Sequence, residues 1–385
     1  MKVCVYGLWH LGSVTAACLA AAEIETVGLD DDATTTSGLA AGRPPLFEPG
    51  LSELTAAGLA SGRLSFTTDP AAALAGAAVV WVAFDTPVDD DDRADVGFVV
   101  ERIAALFPYL EDGAVVLISA QLPVGTTAGL ERRFAAVAAG RAVSFACSPE
   151  NLRLGKAIEA FRNPGRIVVG VRDDRARAVL EPLLARFCDA LLWVGVESAE
   201  MTKHALNAFL ATCVVFINEI ASVCERVGAD AGEVEAALRA EPRIGPHAYL
   251  RPGAAFAGGT LARDVTFLGD IAADRGLATP LLSGVLPSNQ SHRKWAFRRL
   301  QTLLGDLRGR TVAVLGLSYK PGTDALRRSI AVELCRDLVA AGAHVRVCDP
   351  VVAAPPDDLA GRVTTASSVA SAFCSAASAR SICPS

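Results

Sequence analysis

Short apolar runs alternate with helix-like stretches along the first part of the chain. The runs Val3–Tyr6, Val79–Ala83 and Val115–Ile118 are rich in β-branched residues and end near Gly, Asp or Ser. Continuous apolar runs of this kind predict strands buried on both faces, as in a parallel sheet. Between them, small and apolar residues recur with the spacing of a helix. The alternation predicts an α/β fold.

The first predicted unit is a strand, a Gly turn, a helix and a second strand that ends in an acid. Residues 2–6 lead into Gly7–Gly12, and strand 26–29 ends at Asp30. This order is typical of a dinucleotide-binding unit, where the helix N-terminus faces the pyrophosphate and the acid binds the adenosine ribose. The charge of Asp30 disfavours a 2′-phosphate and so favours NAD. Trp9 stands at the middle Gly position, which leaves open a plain βαβ unit without a dinucleotide.

The second half of the chain reads as a helical region followed by another strand–Gly unit. One long helix is predicted from Ala199 to about Val227, and Arg310–Gly316 repeats the plan of the N-terminus. The last stretch holds seven Ser, six Ala and no acid, which predicts disorder and suggests a truncated or frame-shifted gene. The predicted domains are a Rossmann-like dinucleotide domain (1–198), a central helical domain (199–300), a smaller Rossmann-like domain (301–365) and a disordered tail (366–385).

Composition narrows the class of protein. The 385 residues are 51% hydrophobic, enough for several cores, and the net charge of −6 argues against binding to nucleic acid. No uninterrupted apolar run is long enough to span a membrane, and no signal peptide is visible, so we expect a cytoplasmic protein. The ten Cys form no CxxC pair and predict reduced core residues. The run 89–92 of Asp predicts a solvated loop rather than a metal site.

The stretch Pro252–Asp264 is a Gly-rich loop that ends in Arg-Asp. It resembles the active-site loop of the UDP-glucose/GDP-mannose dehydrogenase family, the nucleotide-sugar 6-dehydrogenases. Thr260 stands at the family's Cys position and Arg263 at its Lys position. The resemblance continues in order over residues 1 to about 360.

Other family motifs match with single departures. The segment Phe84-Asp85-Thr86-Pro87 resembles the family's Gly-Thr-Pro turn, and Gln121 stands where the family has an active-site Thr. Glu150 matches the first acid of a further motif, whose second acid is replaced by Leu154.

Lys203 and Asn207 form the pair that most favours retained chemistry. They are four residues apart and therefore share one face of the long helix. Burying both on an apolar helix is costly unless they bind something, and they match the family's active-site Lys and Asn. A solvated polar stripe is the structural alternative.

The resemblance implies an NAD-dependent enzyme that binds a UDP- or GDP-sugar, needs no metal and forms a homodimer through the long helix. The implied catalytic residues are Lys203, Asn207, Asp264, Glu150 and Thr260. The implied cofactor-binding residues are Gly7, His10, Leu11, Gly12, Asp30, Thr86 and Gln121. The implied substrate-binding residues are Arg243, Tyr249, Gly253, Phe256, Lys320 and Arg327.

The residue at position 260 divides the possible reactions. The family removes four electrons, and its Cys thiolate captures the aldehyde for the second hydride transfer. A Thr hydroxyl is a far poorer nucleophile, so we expect a single two-electron oxidation. Two alternatives stay open: four-electron oxidation through an aldehyde hydrate, and binding of NAD or nucleotide sugar without turnover.

Overall fold

The computed structural model describes residues 1–87, 89, 94–150, 152–319 and 324–374. It divides into two compact units, Met1–Leu206 and Asn207–Ser385. Each unit contains a parallel sheet with helices, which confirms the predicted α/β class.

Unit 1 is built on an eight-stranded sheet in the order β3-β2-β1-β4-β5-β6-β7-β8. Its strands are β1 (Lys2–Tyr6), β2 (Glu25–Leu29), β3 (Leu64–Thr67), β4 (Ala77–Val82), β5 (Val115–Ile118), β6 (Ser144–Cys147), β7 (Ile167–Gly170) and β8 (Leu191–Val194). Neighbouring strands are parallel except for the antiparallel pair β6 and β7. The order of the first six strands is that of a dinucleotide-binding fold, and it reverses between β1 and β4.

Helices connect these strands and cover the sheet. They are α1 (His10–Ala21), α2 (Ala33–Ala40), α3 (Leu51–Ala60), α4 (Pro70–Leu74), α5 (Val96–Ala105), α6 (Thr126–Val137), α7 (Ala157–Arg162), α8 (Asp174–Leu184) and the start of α9 (Val196–Val227). Alternate residues of β1 enter different cores: Cys4 and Tyr6 join one cluster, and Val3 and Val5 join the other. This burial on both faces explains why β1 reads as a continuous apolar run.

Unit 2 contains the rest of α9, a set of helices and a three-stranded parallel sheet in the order β11-β10-β9. Its further elements are α10 (Ala231–Ala240), α11 (Thr260–Asp274), α12 (Pro280–Arg293), α13 (Trp295–Leu304), β9 (Thr311–Leu315), α14 (Ile330–Ala340), β10 (His344–Cys348), β11 (Val363–Thr365) and α15 (Val369–Cys374). The second, smaller strand–Gly unit predicted after residue 307 is therefore present.

The long helix α9 begins at Val196, three residues before the predicted start. By length and mean hydropathy, 1.7 over its most apolar window, it is the one described helix that could cross a membrane. The sequence predicts no membrane span because no uninterrupted apolar run is long enough. The helix α9 meets the test of length and mean hydropathy although polar residues interrupt it. Three of these, Glu200, His204 and Asn207, are buried against other parts of the protein. These hydrogen bonds fix the first part of α9, while only 28% of its most apolar window is buried.

The prediction of a disordered tail is wrong for residues 366–374. Ala366 and Ala372 are buried and pack with Cys348 of β10, and the Arg346 guanidinium donates to the backbone oxygen of Ser371 at 2.8 Å. Small side chains let α15 approach the sheet closely, which a composition rich in Ala and Ser does not reveal. Residues 375–385 lie outside the described residues.

Candidate functional site

The turn between β1 and α1 brings backbone very close to backbone. Gly7 has a left-handed φ of +91°, and a Cβ added to Gly12 would lie 1.7 Å from the Gly7 carbonyl oxygen. Only glycine fits at position 12, so the helix starts directly over the strand end. The indole of Trp9, at the N-cap of α1, is half exposed. The glycines predicted from the sequence thus form a cradle at the N-terminus of α1, and binding of the NAD pyrophosphate there stays a prediction.

Asp30 lies beside this turn, at the carboxyl end of β2. Its carboxylate accepts hydrogen bonds from the backbone N–H of Leu8 at 2.6 Å and of Asp32 at 3.0 Å. The acid therefore holds the shape of the turn in addition to any contact with a ribose. Ribose binding by Asp30 stays a prediction.

The side chain of His10 is engaged by a buried acid. His10 Nε2 lies 3.0 Å from Glu48 Oε2, and the same carboxylate accepts from Gly155 N at 2.6 Å and Ala157 N at 2.8 Å. Burial acts to raise the pKa of Glu48, but these hydrogen bonds outweigh it and lower the pKa. Sequence reasoning gave Glu48 no role, and the structure shows that it joins the start of α1 to the turn before α7.

Two predicted cofactor residues meet at the ends of adjacent strands. Thr86 follows β4 and is buried, and its hydroxyl donates to the backbone oxygen of Gln121 at 2.9 Å. Because β4 and β5 are parallel neighbours, both residues lie at the edge where open α/β sheets bind ligands.

Glu150, Lys203 and Gln121 line one small cavity of about 10 Å³, close to the smallest cavity that admits a single water. The Lys203 ammonium donates to the backbone oxygen of Glu150 and lies 3.9 Å from its carboxylate. Burial raises the pKa of Glu150, and the charge of Lys203 opposes this shift without cancelling it. A carboxyl group with a raised pKa beside an ammonium is a candidate for proton transfer.

The first turns of α9 hold the loop that carries Gln121. Glu200 is buried and accepts from the N–H groups of Gly125 at 2.6 Å and Thr127 at 2.9 Å, at the N-terminus of α6. His204 is buried and bonded to the Leu122 carbonyl at 3.0 Å. The helix spacing Glu200-x-x-Lys203-His204 contained this signal, since buried polar groups on one face need partners.

In unit 2, Asn207 and Asp264 are brought together as a buried pair. The Asn207 amide donates to the Asp264 carboxylate. Thr260 is exposed at the first position of α11, one turn before Asp264 on the same helix. Gly258 and Gly259 precede it with φ of +109° and +66°, so this turn requires glycine. The predicted catalytic residues Asn207, Thr260 and Asp264 therefore lie around the start of α11.

The backbone of the loop before α11 is held by side-chain amides. Asn289 accepts from Phe256 N at 3.0 Å and donates to Phe256 O at 2.8 Å. Asn218 accepts from Gly253 N at 2.9 Å, and His292 bonds to Gly253 O at 2.8 Å. Gly253 and Phe256 were predicted to bind substrate, and the structure shows that these hydrogen bonds hold their backbone groups in place.

The remaining predicted substrate residues are exposed. Arg243 pairs with Glu241 at 2.7 Å, and the Tyr249 ring is about half exposed. Arg327 is exposed, and the neighbouring Arg328 has a left-handed φ of +64°. Their contacts with a substrate stay predictions. Lys320 and residues 90–92 of the Asp run lie outside the described residues.

Comparisons with family models, with individual proteins and with solved structures found proteins that this chain resembles. The chain matches the NAD binding domain of the UDP-glucose/GDP-mannose dehydrogenase family over residues 1–188. It matches that family's central domain over residues 197–291 and its UDP binding domain over residues 313–383. The first match confirms NAD as the cofactor, in agreement with the cradle formed by Gly7 and Gly12.

Individual relatives agree with these matches. UDP-glucose 6-dehydrogenase TuaD of Bacillus subtilis is 34% identical over 91% of this chain and 76% of the relative. UDP-glucose 6-dehydrogenase of Rhizobium meliloti is 36% identical over 91% of this chain and 82% of the relative. A UDP-glucose dehydrogenase structure from Pyrobaculum islandicum superposes with a TM-score of 0.83 and 35% identity, covering 95% of this chain and 86% of that one. The protein is thus a nucleotide-sugar dehydrogenase and a member of the UDP-glucose/GDP-mannose dehydrogenase family.

Proposed function

We propose that the protein oxidises a sugar hydroxyl of a UDP- or GDP-sugar in one two-electron step and releases an aldehyde or ketone. UDP-glucose is the first candidate substrate, because the chain is similar to relatives that are named UDP-glucose 6-dehydrogenase. The observation that carries the proposal is Thr260 at the start of α11, one turn before the buried Asp264.

The residues for a first oxidation are all present. NAD, when bound, supplies the hydride acceptor. The chain must then take the hydroxyl proton and orient the reacting oxygen. Glu150, with its raised pKa, is the group we assign to accept that proton directly or through a water, and the Lys203 ammonium is a donor to the oxygen. Asn207 and Asp264 supply further hydrogen-bonding groups.

A second oxidation through a thioester needs a thiolate that position 260 lacks. No Cys occurs between residues 225 and 334, so the loop offers no substitute nearby in sequence. An alkyl hydroxyl stays protonated at neutral pH without an adjacent strong base, and it does not capture an aldehyde efficiently. The product of the first step is therefore released.

The proposal includes a homodimer formed through α9, in the cytoplasm. Phe209, Phe216 and Val223 recur every seven residues on this helix and are 65%, 46% and 57% exposed. An exposed apolar stripe at this spacing favours pairing with a second copy of the helix. Analytical ultracentrifugation tests it: Phe209→Glu/Phe216→Glu should sediment as a monomer, and a wild-type monomer would exclude the dimer.

The proposed reaction is tested by its stoichiometry. Purified protein is incubated with NAD and a panel of nucleotide sugars headed by UDP-glucose, and NADH formed per sugar consumed is counted while mass spectrometry identifies the product. We expect one NADH and an aldehyde or ketone. Two NADH with a uronic acid would contradict the single oxidation. Binding of the sugar without NADH would favour the alternative of a binding protein.

A Cys at position 260 sharpens this test. Thr260→Cys should convert the product to the uronic acid and double the NADH per sugar, because it restores the nucleophile in its place. Thr266→Cys, on the same helix, is the matched control and should leave one NADH per sugar. If both variants stay at one NADH, something other than residue 260 limits the second step.

A further inference from the structure

The N-terminus of α1 faces an acid from the neighbouring strand. Asp85 follows β4, which lies beside β1 at the point where the strand order of the sheet reverses. Its carboxylate oxygen lies 3.5 Å from the backbone nitrogen of Leu11 and accepts a hydrogen bond from it. The acid therefore lies where the cradle of Gly7 and Gly12 would receive the cofactor's pyrophosphate.

Asp85 provides a negative charge at the N-terminus of α1, which the first turn of the helix itself lacks. Trp9 at the N-cap makes no side-chain capping bond, and the first turn contains no acid. A negative charge at a helix N-terminus is stabilising because the exposed N–H groups and the helix dipole are positive there. A carboxylate and a phosphate bind this position through the same interaction, so they exclude one another.

Other charged groups around the N-terminus of α1 also affect the binding of a phosphate there. The charges of Lys203, Asp85 and His10 each influence the pKa of Glu150, so each of these groups lies within electrostatic reach of Glu150. His10 is in turn bonded to the carboxylate of Glu48. With Asp30 beside the same turn, four acids thus share the region with one Lys and one His before an anionic cofactor arrives.

The Asp85 side chain is exposed, whereas the residues on either side of it are buried. Phe84 and Thr86 are buried, and Thr86 is bonded to Gln121, whereas Asp85 is exposed in a segment without regular structure. For a phosphate to bind at the helix N-terminus, this exposed side chain must rotate away from Leu11 N.

We propose that Asp85 is an internal competitor of the NAD pyrophosphate: its carboxylate caps α1 in the free protein, must leave when NAD binds, and thereby sets the affinity for the cofactor. The inference rests on the NAD dependence of the proposed function. It concerns affinity, whereas the proposed function concerns the product, so either one can fail without the other.

The test measures dissociation constants by calorimetry for NAD, ADP-ribose and adenosine. Asp85→Asn keeps the shape of the side chain and removes its charge. We expect it to bind NAD and ADP-ribose roughly tenfold more tightly than the wild type, as expected for removing one charge close to the phosphates. Adenosine, which has no phosphate, should bind both proteins equally. Glu25→Gln, which removes one exposed charge at the amino end of β2, is the matched control and should bind like the wild type.

Ionic strength gives a second readout. Raising NaCl from roughly 50 to 500 mM screens the repulsion, so the ratio between wild type and Asp85→Asn should shrink. Equal or weaker binding of NAD and ADP-ribose by Asp85→Asn would overturn the proposal. So would an equal gain for adenosine or for Glu25→Gln, or the absence of NAD binding in every variant.

Discussion

The turns after β1 and after β9 are built on the same frame. Gly7 and Gly316 have left-handed φ of +91° and +87°. Each donates its backbone N–H across to the neighbouring strand, to Leu29 at 3.0 Å and to Cys348 at 2.8 Å. In each unit the next residue donates to an acid at 2.6 Å, Leu8 to Asp30 and Leu317 to Asp349. One strand–Gly–acid arrangement therefore occurs twice in the chain.

The two turns differ in the segment after the glycine. After Gly7 the helix α1 begins at His10 and presses Gly12 onto the turn, whereas after Gly316 the next helix begins only at Ile330. Among the described residues, a Cβ on Gly316 would meet nothing within 4 Å. The frame alone therefore does not make a dinucleotide cradle; the immediate helix does. This agrees with matches to an NAD binding domain in the first case and a UDP binding domain in the second.

Gly12→Ala should have the largest effect, because it attacks the feature that separates the turns. The added Cβ would lie 1.7 Å from the Gly7 oxygen, so α1 must move away from β1. We expect the free energy of unfolding of unit 1 to fall by about 3 kcal/mol or more and NAD binding to be lost. Urea unfolding followed by circular dichroism, with calorimetry for NAD, measures both.

Gly129→Ala is the matched control for this substitution. Gly129 lies inside α6, and its added Cβ would come no closer than 4.0 Å to another atom, Arg132 Nη2. Alanine there should be neutral or stabilise the protein by about 0.5–1 kcal/mol through helix propensity. If both variants lose the same stability, the loss is not caused by the close contact of Gly12 with Gly7.

Local sequence was enough to predict the frame of both turns. Strand β1, the Gly turn and Asp30 follow from short-range patterns, as does the repeat at β9. The prediction of disorder is wrong for residues 366–374 because their order depends on Ala366 and Ala372 packing against Cys348. Composition does not encode these contacts. Local patterns therefore predict elements better than they predict which small residues pack.

The site was predicted in its parts but not in its connections. Lys203 and Asn207 were found from helical spacing and a matched motif. Glu48 was not, because its partners Gly155 and Ala157 lie more than 100 residues away along the chain. The capping of α1 by Asp85 likewise depends on β4 lying next to β1. Long-range hydrogen bonds of this kind become visible only when the sheet order is known.

Glu150→Gln tests whether Glu150 accepts a proton in the reaction at the site beside the first turn. Burial raises the pKa of Glu150, so its basic form appears at a higher pH than that of an ordinary Glu. We expect wild-type turnover to rise with pH through that pKa, and Glu150→Gln to lower kcat about 100-fold and remove this limb. Glu159→Gln, an exposed acid on α7, should keep the wild-type profile.

The same shift predicts an effect on stability with the opposite dependence on pH. A carboxyl group whose folded pKa is raised contributes stability at pH values below its unfolded pKa and loses that contribution as pH rises through the folded value. The stability of wild type relative to Glu150→Gln should therefore fall with rising pH. A constant difference, together with an unchanged rate profile, would contradict the assignment of Glu150 as proton acceptor.

Asp349→Asn should have a smaller effect, confined to the second turn. Burial acts to raise the pKa of Asp349, but backbone N–H groups of Leu317, Val351, Ser318 and Val352 hold it at about 2. The carboxylate thus stabilises unit 2 above its unfolded pKa, and this is lost as pH falls toward 2. An amide leaves two of the donors facing its NH₂ group, which we expect to cost about 1 kcal/mol after solvent screening.

Hydrogen exchange of β9 and β10 between pH 2 and 7 measures the Asp349 effect. Asp30→Asn is the counterpart in the first turn, where only two backbone groups, Leu8 and Asp32, donate to the acid. Its loss at neutral pH should be smaller. Equal losses would mean that the number of backbone donors does not distinguish the two acids.

Gly316→Ala isolates the cost of the backbone conformation. Gly7 and Gly316 have nearly the same φ, so alanine should strain both turns by about 1 kcal/mol. At Gly316 there is space for the methyl group, whereas at Gly7 it would lie 2.7 Å from the Phe84 ring. The loss for Gly7→Ala should therefore exceed that for Gly316→Ala, and the difference between them reports the packing of the first turn against β4. Equal losses, measured as urea unfolding free energies, would show that the first turn is no more tightly packed than the second.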